Sequence, residues 1–340
     1  MKNSYQAEPA AKILSEEFVN NELAMDKHIT QEPRANRFLI LISLLALYIL
    51  WGSTYLAMRI ALLGFPPFLM AGVRFLIAGS ILFLILRVRG SRAPTRKQWI
   101  GAALIGTLLL AGGNAGVAFS EQWVSTGLAS VGIAAVPLWT ALFAGLWGRW
   151  PTRIEWFGLG LGFIGVMLLN LGNGVWANPM GAIALLLAPI FWALGSAWSQ
   201  HISLPAGLMS SSAQMLVGGA VLILLSLVIR ERTPNLAISQ SLWAIAFLVV
   251  FGSLVAFSAY GYLLRHVRPA LATSYAYVNP IVAVGLGVLL AGERLSASEI
   301  VAILVTLTGV GLVSLGSSRR GRSAKAIRIR QPQENLASSE

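Results

Sequence analysis

Cysteine is absent from this 340-residue chain, and aspartate occurs once, at Asp26. The first absence excludes a disulfide framework, a thiolate metal site and thiol redox chemistry. The second excludes an aspartate dyad. Acidic residues are few and unevenly spread. Of 13, six lie in the first 32 positions, and between 33 and 316 only Glu121, Glu155, Glu231, Glu293 and Glu299 remain, so carboxylate clusters with metal-ligand spacing cannot assemble. The chain contains neither a GxxxxGK(S/T) phosphate loop nor a GxSxG elbow; ATP is therefore not its direct energy source, and a hydrolase of that type is excluded. The three histidines, His28, His201 and His266, fall in the N-terminal tail or at helix ends. Catalysis, a bound metal and other cofactors all lack supporting residues.

Long apolar runs are what the chain has in abundance. At 56% hydrophobic and 11% charged, with a mean hydropathy of +0.72, it is too apolar for a soluble globular domain and reads as an integral membrane protein. Runs of about 20 residues, the length that crosses a bilayer core, fall at 38–58, 67–86, 98–119, 127–148, 154–172, 178–200, 208–229, 241–264, 270–292 and 298–316. Breakers such as "GFPP", "GSRAPTRK" and "RERTPN" separate them. The net charge of +12 does not indicate nucleic acid, because the lysines and arginines gather at the ends of these runs, where they act as topology signals. With the N-terminus inside, 17 fall on the cytoplasmic side and three, Arg230, Arg232 and Arg294, outside. This asymmetry predicts a multi-pass plasma (inner) membrane protein with both termini cytoplasmic. Residues 1–36 lack a signal-peptide core and read as a disordered cytoplasmic tail, and residues 317–340 as a basic tail against anionic lipid.

The chain also repeats itself at about 140 residues. "GVAFSEQWVSTGLASVGIAAVPLW" aligns with "AYGYLLRHVRPALATSYAYVNPIV", matching Pro137 to Pro280. "GRWPTRIEWFGLGLGFIGV" fits "GERLSASEIVAILVTLTGV" without a gap, placing Gly165 on Gly309, while Trp51, Trp99 and Gly79 find Trp192, Trp243 and Gly219. Residues 37–174 and 175–316 thus form two five-helix repeats. Since five is odd, the second enters the membrane inverted, the plan of a secondary transporter with a midplane site between its halves.

Within the spans, Pro137 and Pro280 each lie ten residues into a helix, the fourth and the ninth, and each frees the carbonyl four residues earlier, at Ile133 and Ala276. These breaks either line a cavity or simply kink packed helices. Tyr275 and Asn279 dress the second break; Trp51, Ser53, Thr54 and Tyr55 in helix one, Asn114 in helix three, Trp192 in helix six and Tyr260 in helix eight offer further lining. Each aromatic alone is equally a lipid-belt or core residue. "GLGLGFIG" carries Gly158 and Gly162 in GxxxG spacing, a signal for close helix packing. Arg74 sits deep in helix two and is read either as an anchor for a substrate carboxylate or as a strut bonded to freed carbonyls or to Glu121. Arg59 and Glu121, near the outer ends of helices one and three, are placed to pair with each other; Glu121 is also the carboxylate available for ion coupling.

The stretches "LWGSTYLAMRIALLGFPPFLMAGVRFLIAGSILF" and "ALATSYAYVNPIVAVGLGVLLAGERLS", together with the five-plus-five duplication, resemble the EamA family of the drug/metabolite transporter superfamily, including its YedA-type bacterial inner-membrane members. The likeness runs over about residues 38–316. It implies a ten-helix exporter of small metabolites or drugs, often amino-acid-like, with a central cavity and no prosthetic group. It places Arg74 at the family's recurrent "RF" position, which favours the strut, and it shows one departure, "GRWPTR" at 148–153 where "GER" stands at 292–294. The sequence thus predicts a secondary transporter working by alternating access. Its substrate-binding cavity is formed by Trp51, Tyr55, Arg74, Asn114, Pro137, Trp192, Tyr260, Tyr275, Asn279 and Pro280, its partners are a small molecule and the lipid bilayer, and a homodimer is left open. A passive channel or lipid scramblase is the alternative.

Overall fold

The computed structural model describes residues 37–148, 150–171, 178–267, 275–298, 300–313 and 315. Both tails, and the junction expected at 174–175, lie outside them. Backbone contacts divide the chain into residues 1–40 and 41–340; of the first unit, residues 37–40 form the opening turn of the first helix. In chain order the helices are α1 (Arg37–Ala61), α2 (Pro67–Val88), α3 (Arg96–Ser120), α4 (Thr126–Phe143), α5 (Arg153–Leu171), α6 (Pro179–Ser199), α7 (Leu208–Val228), α8 (Ser239–Leu263), α9 (Tyr275–Ala291) and α10 (Ile300–Val313). No strand occurs among the described residues. Helix is the only open-chain answer to an apolar surround, because it satisfies its backbone internally.

Seven of these helices, α1–α4 and α6–α8, are long and apolar enough to cross a membrane. The expected count was ten. The other three, α5, α9 and α10, stand where the fifth, ninth and tenth spans were expected, but α10 and the apolar stretch Val278–Ala291 of α9 are shorter than a bilayer core requires. Residues 268–274 before α9 and those from 316 onward lie outside the described set.

Local chemistry sets the helix starts. Pro67 opens α2 with its φ already helical. Thr95 and Gln98 form a capping box for α3, Ser125 caps α4, and the Asn178 side chain accepts from Met180 N at 2.9 Å and Gly181 N at 3.2 Å at the head of α6. Carboxylates serve two helices from a distance. Glu231, after α7, accepts from Phe68 N (3.1 Å) and Leu69 N (2.8 Å) of α2; Glu293, after α9, accepts from Thr126 N (2.9 Å) and Gly127 N (3.3 Å) of α4. Each places negative charge on orphan donors at the positive end of a helix.

The most extensive interhelical contact is α2 along α7. There a Cβ on Gly79 would lie 2.9 Å from Leu216 N and one on Gly219 2.8 Å from Leu76 N, so the two backbones meet directly. The GxxxG stretch makes a second such seam: a Cβ on Gly158 of α5 would lie 2.7 Å from Gly309 O of α10, beside a core of Leu138, Leu159, Val310 and Val313.

Four irregularities interrupt this frame. α1, α3 and α8 each contain a π-helical segment, Leu47–Trp51, Thr107–Asn114 and Leu248–Val255. α4 breaks at Ala134–Ala135, and Pro137 opens its second segment, Val136–Ala144. Pro280 behaves differently, because α9 runs through it unbroken. The equal breaks expected of the two prolines are therefore present in α4 alone.

Candidate functional site

The irregular turns converge. Trp51 closes the π segment of α1, and its indole Nε1 donates to Gly252 O at 3.2 Å on the π segment of α8. Its ring meets those of Tyr275 (4.8 Å), Tyr260 (5.3 Å), Phe257 (5.4 Å) and Trp192 (6.2 Å). Such edge and tilted ring contacts add to what area burial alone supplies. One turn on, Thr54 Oγ1 donates to Trp51 O at 2.6 Å and turns its methyl group towards Gly252. The Asn279 amide, oriented with its nitrogen inward, lies 3.3 Å from Leu47 O and from Tyr275 O, which satisfies carbonyls on α1 and α9.

Against this wall lies a cavity of about 50 Å³ of space open to water-molecule centres. Arg74 reaches it from α2. The residue is 1% exposed; its Nε donates to Ser253 Oγ at 2.9 Å, and its Nη1 is buried without a partner. Asn114, from the π segment of α3, also lines the cavity, and its Oδ1 is buried with no donor. Among the described residues the cavity lining holds one cation and no carboxylate. Its field therefore favours an anionic group near Arg74, and the free acceptor on Asn114 favours a donor a short distance away.

Of the residues singled out in the sequence, the structure brings Trp51, Tyr55, Arg74, Asn114, Trp192, Tyr275 and Asn279 to this cavity. Tyr260 stands one ring behind, 5.8 Å from Tyr275. Pro137 and Pro280 are off the lining, although Ile133, four residues before Pro137, is on it. Glu121 is off it too, and the expected pairing with Arg59 is corrected: Arg59 Nη1 bonds Glu293 Oε1 at 2.7 Å, and both oxygens of Glu121 are buried without partners. The physical reason is the cap on α4, which already holds Glu293 beside Arg59. The strut proposed for Arg74 also takes a different form, bonded to the Ser253 hydroxyl and to neither freed carbonyls nor Glu121. The sequence reading passed over Met58, Gly113, Val117 and Phe257 in the lining, and Ser253 behind it; Ile133 it had named for its freed carbonyl. Val117, one turn from Asn114, was open to discovery by helical spacing. Among the described residues no three His, Asp or Glu side chains converge as metal ligands would.

Comparison with known proteins gives a consistent picture. The model of the EamA-like transporter family matches twice, over residues 38–171 and 179–315. The inner membrane transporter YedA of Escherichia coli (strain K12) is 46% identical over 275 residues, covering 81% of this chain and 90% of its own. The transporter YoaV of Bacillus subtilis is 22% identical over 83% of this chain and 98% of its own, and a chloroplastic WAT1-related protein of Arabidopsis thaliana is 27% identical over 80% and 68%. A solved crystal structure superposes with a TM-score of 0.59 at 19% identity, covering 82% of this chain and 97% of that one, which shows a shared fold.

Proposed function

The chain belongs to the EamA-like transporter family, and on that premise we propose that it exports small amphipathic metabolites bearing a carboxylate, amino-acid-like zwitterions above all, by alternating access. It is a multi-pass inner membrane transporter and not an enzyme. The observation that carries the substrate reading is Arg74, a residue of the cavity lining that is held by Ser253 at Nε while its Nη1 is buried without a partner. A strut would spend its donors on the protein. An anchor keeps one for the ligand, and an intramembrane arginine otherwise carries a cost without return. Asn114 Oδ1 is the matching acceptor for an ammonium group, and the faces of Trp51, Trp192 and Tyr275 suit a cation or an apolar side chain.

About 50 Å³ holds only a few waters, far less than the ~300 Å³ or more of a ligand pocket. The cavity must therefore widen to admit a metabolite, as alternating access requires. In this reading α5, α9 and α10 complete ten crossings, and residues 37–174 and 175–316 are inverted repeats. Supporting this are the doubled family match, contact between duplicated positions (α2 with α7, α5 with α10, Trp51 with Trp192) and π segments in both α3 and α8. The charge asymmetry puts both termini in the cytoplasm, so Arg59, Glu231 and Glu293 mark the outer end.

Counterflow in proteoliposomes across a panel of amino acids and drugs tests the reading, with wild type beside Arg74→Gln and Arg74→Lys. A hydrogen bond to a charged group is worth about 1.5–3 kcal/mol, so Arg74→Gln is expected to weaken carboxylate substrates about 10- to 100-fold and to leave others nearly unchanged. The anchor is wrong if a folded Arg74→Gln protein loses every substrate alike. The transport reading is wrong if wild type exchanges no member of the panel; non-saturable flux would mark a channel or scramblase.

A further inference from the structure

Gly113, Asn114 and Val117 form the stripe that α3 presents to the cavity. Glu121 follows Val117 by one turn, between the cavity and the end where Arg59 meets Glu293. The residue is 4% exposed, and neither carboxylate oxygen has a hydrogen-bond partner. The groups facing it are Arg59 and Tyr55 from α1, Arg74 from α2 and Glu293 from beyond α9. α6, which also packs on this end of α3, has no ionisable side chain. Two carboxylates thus contend for one arginine. Glu293, 7% exposed, holds Arg59 at 2.7 Å while capping the N-terminus of α4, and the Arg59 side chain is 43% exposed. Burial without a donor favours the protonated form of a carboxylate. Once it loses that proton it must recruit a cation, and Arg59 is the one within reach that lies at the water boundary.

We propose that Glu121 is a proton-binding residue in the roof of the cavity, and that its ionisation opens the outer end by drawing Arg59 from Glu293 and loosening the cap on α4. The closed arrangement described above is then the protonated one. Resting on the transport reading, the same residue supplies coupling: a proton taken from outside closes the roof and leaves to the cytoplasm as the cycle returns, and the substrate goes out with Glu121 charged. The sign is definite: ionisation of Glu121 breaks the latch as the pH rises.

Because the chain has no cysteine, a single Val117→Cys probe reports on the roof. In intact cells its labelling by an impermeant maleimide, normalised to an exposed Leu236→Cys control, is expected to rise at least fivefold between pH 6 and pH 8.5. Added Glu121→Gln should abolish the rise and hold labelling low, and added Glu293→Gln should hold it high throughout. A rise that survives Glu121→Gln, a fall with pH, or Glu293→Gln labelling no faster than the parent would each overturn the proposal. A pH-gated roof in a protein whose wild type exchanges no substrate would sink the transport reading and leave the switch standing.

Discussion

Gly252→Ala strikes the site at its tightest point without removing any polar group. A Cβ there would lie 2.8 Å from Thr54 Cγ2 and 3.0 Å from Arg74 Nη2, roughly 0.7 Å and 0.5 Å inside van der Waals separation. Neither neighbour yields freely: Thr54 is tied to Trp51 O at 2.6 Å, and Arg74 to Ser253 at 2.9 Å. Overpacking of this kind costs about 1–3 kcal/mol. If the guanidinium gives way, it moves by a few tenths of an ångström across the cavity, enough to spoil a charged hydrogen bond worth about 1.5–3 kcal/mol. The expected result is a roughly tenfold or larger rise in the half-saturating concentration of carboxylate substrates in counterflow, with non-carboxylate substrates changed far less. Gly219→Ala is the control. It places a Cβ 2.8 Å from Leu76 N on the α2–α7 seam, away from the cavity, and should lower thermal stability without altering the preference among substrates. A folded Gly252→Ala protein with unchanged affinity for carboxylates would refute the reasoning, as would equal changes in preference from both variants.

Two further outcomes follow from the frame. Glu231→Gln removes the charge that caps α2 at Phe68 N and Leu69 N and should lower stability by about 0.5–2 kcal/mol, read as a shift of a few degrees in thermal unfolding, with substrate preference intact. Gly309→Ala drives a methyl group into the backbone of α5 around Gly158 and Gly162; about 1–3 kcal/mol of overpacking should appear in gel filtration as a diminished folded fraction, while transport per folded molecule changes little.

How far the sequence could be read depended on contrast. Arg74, Asn114 and Asn279 stand out because polar groups are rare in apolar spans, and the structure places all three on the cavity. Met58 and Phe257 line it equally but look like every other apolar residue around them. Helix ends were legible from the breakers that separate the apolar runs, such as "GFPP" and "RERTPN". Lateral distance was not: Glu121 and Glu293 both lie at helix ends facing Arg59, and only the α4 N-terminus, already claiming Glu293, decides between them. The π segments were hidden as well, since a 3.6-residue period has no place for the extra residue per turn that swings Trp51 and Ser253 inward. The two prolines show the limit of duplication as a guide, with equal depth in the sequence and a break in one helix only.

The glycine seams and the π turns divide the molecule mechanically. Where α2 meets α7 and α5 meets α10, backbone lies on backbone, and no side chain between them can change rotamer to absorb a displacement. Those seams are stiff. The π segments of α1, α3 and α8 interrupt the regular helical ladder; those of α1 and α3 give Trp51, Gly113 and Asn114 to the cavity lining, and that of α8 backs it through Ser253, bonded to Arg74. In the transport cycle proposed above, compliance then belongs at the cavity wall and rigidity in the frame behind it, a graded spring that would let the cavity change size while the helices around it keep their register.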